Sequence, residues 1–261
     1  MFFAKKSLGQ NFLVDTKMTE RIIDACDLKP DETVLEVGPG QGALTRAIAP
    51  RVKHVIAVEA DRVLAEKLRQ DFSPEVLTVY HEDILKFDLS LLPGKVKVIG
   101  NLPYNISTPI LTRVIEGRAH FSSLFMTVQY EFGMRLMAKT RTKDYSSLTC
   151  FVNLYARPEM LFKVPNKCFR PVPKVQSCFM RLDLLQEPAA AVNDEGFFDK
   201  MVRQAFLQRR KTLLNALAGF ASSKESLLAV FDRAGVSSQA RAEELSVADM
   251  ARLANAFSYG T

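Results

Sequence analysis

A β-branched apolar run, Thr33–Val37, ends in Glu36-Val37-Gly38-Pro39-Gly40-Gln41-Gly42, and a helix-like stretch over 41–49 follows, stopped near Pro50. Glycines at a strand-to-helix junction let the backbone turn sharply and let another group approach it closely. The same strand–helix rhythm then repeats. His54–Glu59 reads as a second strand, and Arg62–Asp71 as a helix carrying Val63, Leu64 and Leu68. Strands follow at 76–80 and 96–100. Ser107–Glu116 carries helix signals, with Ser107 or Thr108 as N-cap and Pro109 at an early position. A fifth strand at 124–128 runs into a helix at about 131–138. This alternation predicts βαβ units in an α/β fold: a doubly wound, mostly parallel, Rossmann-like sheet with helices on both faces.

The pattern changes after that. Segments 160–164 and 176–184 read as strands flanking Phe169-Arg170-Pro171-Val172-Pro173, too close for a crossover helix, so an antiparallel hairpin-like pair is expected. Residues 186–191 resemble a linker. Beyond it Phe197, Val202, Phe206, Leu213, Leu214 and Leu217 recur at helical spacing, 227–234 ends at Gly235, and Ser246 with Asp249 begins a last helix through Phe257. The expected division is 1–188 as one domain and 189–261 as a small all-helical one.

Three acidic or amide residues stand at expected strand ends. Glu59 closes the second strand, 21 residues after Gly38, where its carboxylate can accept hydrogen bonds from ribose hydroxyls. Gly38-x-Gly40-x-x-Ala43 formally matches a dinucleotide fingerprint. S-adenosylmethionine, which has an adenosine but no pyrophosphate, is the alternative. Glu36 favours it, being a poor neighbour for pyrophosphate but compatible with a sulfonium and an ammonium. Asp83, after the third strand, can accept from an adenine amine, and Asn101-Leu102-Pro103-Tyr104 follows the fourth. Pro103 holds Leu102 out of the helical region. The Asn101 side-chain oxygen and the Leu102 carbonyl can then bind both hydrogens of an aromatic amine, aiming its lone pair at an electrophilic methyl. Tyr104 offers a stacking face. A base within a duplex cannot reach such a pocket, so the target is single-stranded or flipped out.

Composition narrows the partners. The chain of 261 residues carries a net charge of +6, which favours an anionic partner without proving one. No apolar run is long enough for a membrane helix or a secretory signal, so a cytoplasmic protein is expected. The four cysteines lack metal-ligand spacing and are expected to be buried thiols; no metal is expected. Segment 157–181 holds six basic residues (Arg157, Lys163, Lys167, Arg170, Lys174, Arg181) against Glu159 alone, a possible phosphate-binding rim or a solvated strand pair. Arg209-Arg210-Lys211 is expected to place three charges on one helical turn.

On its motifs the chain resembles the S-adenosylmethionine-dependent rRNA adenine dimethyltransferases, in particular the bacterial small-subunit branch. The motifs are Lys6-Ser7-Leu8-Gly9-Gln10-Asn11-Phe12-Leu13, the glycine loop, Glu59, Asp83-Ile84, Asn101-Leu102-Pro103-Tyr104, Phe169-Arg170-Pro171-Val172-Pro173-Lys174-Val175, and two C-terminal segments, 208–213 and 241–245. The resemblance implies a class I methyltransferase fold. It implies S-adenosylmethionine held by Asn11, Leu13, Gly38, Gly40, Glu59, Asp83 and Asn101, and Phe169 as a second aromatic wall beside Tyr104. It also implies dimethylation of two adjacent adenosines near the 3′ end of 16S rRNA in the assembling small ribosomal subunit, with rRNA recognition by the helical domain of a monomer. Two rivals stand beside this reading: an adenine methyltransferase acting on DNA, and an RNA-binding assembly or transcription factor with little turnover.

Overall fold

A computed structural model of the chain describes residues 10–257. Its central feature is a seven-stranded sheet. In chain order the strands and helices of the first part are β1 (Phe12–Leu13), α1 (Thr16–Ala25), β2 (Thr33–Val37), α2 (Ala43–Ile48), β3 (His54–Glu59), α3 (Arg62–Asp71), β4 (Leu77–His81), β5 (Val96–Asn101), α4 (Ser107–Glu116) and β6 (Phe121–Gln129). They continue with α5 (Tyr130–Leu136), α6 (Ser147–Tyr155), β7 (Ala156–Val164), β8 (Phe169–Arg170) and β9 (Ser177–Leu184). The remaining helices are α7 (Glu195–Leu207), α8 (Leu213–Ala216), α9 (Lys224–Ala234) and α10 (Val247–Phe257).

The sheet order is β4-β3-β2-β5-β6-β9-β7. β2 pairs in parallel with both β3 and β5, so the winding reverses between β2 and β5. Ligands of open α/β sheets bind outside the carboxyl ends of the strands at such a reversal. β4 and β6 extend the parallel array, and β9 runs antiparallel to β6. The expected doubly wound, mostly parallel sheet is therefore present. β2 and β3 are buried at every position after their first, as strands covered on both faces require. The expected 160–164 strand begins earlier, at Ala156, and is a sheet neighbour of β9.

Helix ends follow local chemistry. Asp15 and Asp61 cap α1 and α3 by accepting from the amides of Met18 and Val63. The expected Ser107 or Thr108 cap of α4 is not used. Ile106 is the N-cap, and the Ser107 hydroxyl instead donates to the Pro103 carbonyl at 3.0 Å. The capping box at α10 forms as expected, Ser246 Oγ accepting from the Asp249 amide and the Asp249 carboxylate from the Ser246 amide.

Two units divide the described chain, and they are interleaved. One holds the residues up to Gly133 together with Pro158–Leu184; the other holds Met134–Arg157 and the residues from Leu185 onward. A single boundary after 188 thus misses one excursion. Segment 134–157 joins the helical unit because Tyr145 donates to the Leu245 carbonyl and the Arg141 amide to the Glu243 carbonyl. Helix α6, within that excursion, has no counterpart in the sequence expectation. Arg209-Arg210-Lys211 is also corrected: it lies in the non-helical turn between α7 and α8. Arg209 is engaged there by Glu243 at 2.8 Å and by the carbonyls of Lys143 and Thr142. All four cysteines are buried free thiols. Among the described residues no helix is long and apolar enough to cross a membrane.

Candidate active site

The carboxyl ends of β2, β3 and β5 converge on one cavity. Gly38, Gly40, Glu59, Asp83, Asn101, Leu102 and Tyr104 all line it, and so do Asn11, Leu13 and Glu36. Of the ten sequence-derived site residues, Phe169 alone is missing from its wall.

The glycine loop takes positive φ at Gly38, Gly40 and Gly42 (65°, 58° and 78°), a region L side chains rarely adopt. A Cβ on Gly40 would stand 3.1 Å from two carbons of the Phe12 ring, so β1 lies directly on the loop. A Cβ on Gly38 would meet nothing within 4 Å, so that backbone is left open to a ligand. Glu59 ties this loop down. Its Oε2 accepts from the Gly40 amide at 2.9 Å and its Oε1 from the Asp61 amide at 2.8 Å. Burial raises its pKa, and the two amides oppose the rise. Asp83 accepts from the Leu85 amide through Oδ1 at 3.0 Å.

Asn101 is the most informative residue. Its Nδ2 donates to the Asn11 carbonyl at 2.7 Å. That bond fixes the amide's orientation and turns Oδ1 away as the free acceptor. Asn11 therefore acts on Asn101 through its backbone. The Leu102 amide donates to the Thr127 carbonyl at 3.2 Å, and the Pro103 carbonyl accepts from the Ile106 amide, so the tetrapeptide is held at both ends. Tyr104 is half-buried, and its hydroxyl shares a 2.5 Å hydrogen bond with the buried Ser177 hydroxyl at the start of β9. Burial pushes its phenol pKa up. Ser177 was not singled out in the sequence; a serine opening an apolar strand carries no signal of its own.

Phe169 departs from its expected role. It is fully buried in the apolar core, with Leu13 as its β1 partner. A phenyl ring without polar atoms gains most by burial, and the β1–β8 pairing turns it inward. In this structure its ring lies in the core and does not line the cavity. Phe12 is the second aromatic ring in the lining. The segment Lys6-Ser7-Leu8-Gly9 lies outside the described residues. Among the described residues no group of three or more His, Cys, Asp or Glu could hold a metal ion.

The family model for ribosomal RNA adenine dimethylase matches residues 1–258. The chain belongs to the ribosomal RNA adenine dimethylase family. Relatives include the ribosomal RNA small subunit methyltransferase A of Streptococcus pneumoniae, 42% identical over 98% of this chain and 92% of that one. That of Clostridium acetobutylicum is 38% identical over 97% and 94%. Among solved structures, a dimethyladenosine transferase from Plasmodium falciparum superposes with a TM-score of 0.79 at 25% identity, covering 93% of this chain and 95% of that one. The 23S rRNA methyltransferase ErmE gives 0.70 at 31%, covering 95% and 100%. Asn101 and Leu102 both line the cavity at the carboxyl end of β5.

Proposed function

We propose that the chain transfers methyl groups from S-adenosylmethionine to the 6-amino groups of two adjacent adenosines near the 3′ end of 16S rRNA, during assembly of the small ribosomal subunit. The observation that carries the chemistry is the anchored Asn101 amide, whose oxygen is aimed by the bond from its nitrogen to the Asn11 carbonyl. The residues present fit the donor. Gly38 offers an open backbone, Glu59 and Asp83 keep acceptor sites for adenosine, and Glu36, one of whose buried oxygens is unpaired, is among the lining residues.

When bound, S-adenosylmethionine supplies an electrophilic methyl on a sulfonium. Everything else falls to the chain. Asn101 Oδ1 and the Leu102 carbonyl accept the two amine hydrogens and pyramidalise the nitrogen, freeing a lone pair that the ring otherwise delocalises. Tyr104 stacks on the base, its ring held by Ser177. The bound donor would give up its methyl and leave as the neutral thioether, and the methylated amine would be cationic and acidic. It then sheds a proton without a strong base, toward the Asn101 oxygen and solvent. The basic rim supports an RNA partner: Lys167, Arg170 and Lys174 are exposed, whereas Arg181 is paired with Asp183 and Lys163 lies 4.4 Å over the Tyr130 ring.

Methyl transfer from labelled S-adenosylmethionine should be compared on an undermethylated small-subunit particle, naked duplex DNA and naked rRNA. Labelled dimethyladenosine in the particle supports the reading. Preferential labelling of duplex DNA would turn it toward the DNA rival.

A further inference from the structure

Glu36 sits on β2, two residues before the glycine loop, and only 1% of it is exposed. Its Oε2 accepts from the Thr45 hydroxyl at 2.7 Å. Its Oε1 is buried and has no hydrogen-bond partner among the described residues. The residue nonetheless lines the cavity that Glu59 and Asn101 share. A buried carboxylate oxygen without a donor is costly, more so when ionised. Around it, β3 contributes Glu59, whose charge opposes ionisation, and α2 contributes Arg46, whose charge favours it. Arg46 is itself occupied by Asp71 and by the carbonyls of Gln41 and Gly42. From the loop after β4, Glu82 and Asp83 line the same cavity, and from β5 and β1 its lining includes the uncharged Asn101 and Phe12.

We infer that Glu36 is neutral in the free protein and ionises to receive the α-ammonium of the cofactor, so that cofactor binding expels a proton from the site. The ammonium is the fitting partner because Oε1 lacks a donor: an ammonium brings N–H groups, and a sulfonium brings none. Charge balance points the same way. The carboxyl loses its proton to solvent, and the buried anion acquires a cation within the same cavity. The electrostatics agree, for burial, with Glu59 adding to it, pushes the Glu36 carboxyl up to about 8. About nine in ten Glu36 side chains then carry the proton at pH 7. A hydrogen-bonded ion pair would return the carboxyl toward its ordinary range.

This inference rests on the S-adenosylmethionine reading, and calorimetry separates the two. Wild-type protein is titrated with S-adenosylhomocysteine, which keeps the ammonium, in two buffers of different ionisation enthalpy at pH 7. Close to one proton should be released per molecule bound, and affinity should tighten nearly tenfold from pH 6 to pH 7. In Glu36→Gln the release should fall near zero and the affinity should be flat over that interval. Unchanged release in the variant, or none in the wild type, would overturn the inference. A second measurement uses the wild type alone, so it stands even if the variant fails to fold. 5′-Methylthioadenosine, which lacks the amino-acid portion, should bind without releasing a proton. Release equal to that of S-adenosylhomocysteine would place the proton on Glu59 and refute the assignment. Failure of S-adenosylhomocysteine to bind at all would overturn the cofactor reading and this inference with it.

Discussion

Asn101 owes its direction to a residue 90 positions away in sequence, the carbonyl of Asn11. Asn101→Ala removes both the aim and the acceptor, and methyl transfer should be lost in a folded protein. Asn101→Asp is the sharper variant, because it sets a carboxylate oxygen against the Asn11 carbonyl; single-turnover transfer should fall at least as far as in the alanine variant. Tyr104→Phe keeps the ring but strands the buried Ser177 hydroxyl. It should cost roughly 1–3 kcal/mol of stability in thermal or chemical denaturation, with transfer reduced less than in Tyr104→Ala. Equal stability of Tyr104→Phe and wild type would mean that the Ser177 bond is not formed in solution. Glu59→Ala loses the anchor of the Gly40 amide and, in the proposed reading, the ribose acceptor. Cofactor affinity should weaken by roughly 1.5–3 kcal/mol, and calorimetry on the folded variant would contradict this by finding wild-type affinity.

At the scale of elements, the strand–helix alternation was legible because buried parallel strands leave continuous β-branched runs. His54–Glu59, Arg62–Asp71 and Ser107–Glu116 fall where the residues predict them. The β1–β8 pair was not legible: two-residue strands have no periodicity, and their register joins segments more than 150 positions apart. Helices α1 and α6 were also missed; α6 in particular is almost wholly apolar or small, with no charged face to mark it. The same gap explains Phe169. Its motif identifies the segment, but whether the ring faces the cavity or the core is decided by the partner strand. Gly40 marks where these elements meet. Gly40→Ala would force an alanine to φ +58° and crowd the Phe12 ring at 3.1 Å. It should lower cofactor affinity and thermal stability together. Gly219→Ala, where a Cβ meets nothing within 4 Å, serves as the control and should leave affinity unchanged.

For the molecule as a whole, charge and pH carry the remaining predictions. Arg209 is tied to Glu243 and two carbonyls within the helical unit, so Arg209→Ala should cost about 1 kcal/mol of stability. Arg210 and Lys211 are exposed. Arg210→Ala/Lys211→Ala should keep cofactor affinity, weaken binding to the ribosomal particle, and make its salt slope shallower by about 0.7–0.9 per lost phosphate contact. An unchanged slope in filter binding would leave the rim near Lys167 and Lys174 as the RNA-holding surface. Without cofactor, the raised Glu36 carboxyl binds its proton more tightly folded than unfolded. Its contribution to stability is therefore complete below the ordinary carboxylate pKa and is lost as pH rises through about 8. Denaturation of wild type against Glu36→Gln should show this difference growing from pH 5 to 8, and a constant difference would contradict it. The central claim, that Asn101 and Leu102 present adenine amines of rRNA for methylation, is tested most directly by mass mapping of rRNA adenosines in cells lacking the chain. Restoring the wild type should return dimethylation at two adjacent adenosines near the 3′ end of 16S rRNA, and restoring Asn101→Ala at equal abundance should return none. Full dimethylation with Asn101→Ala would contradict the account.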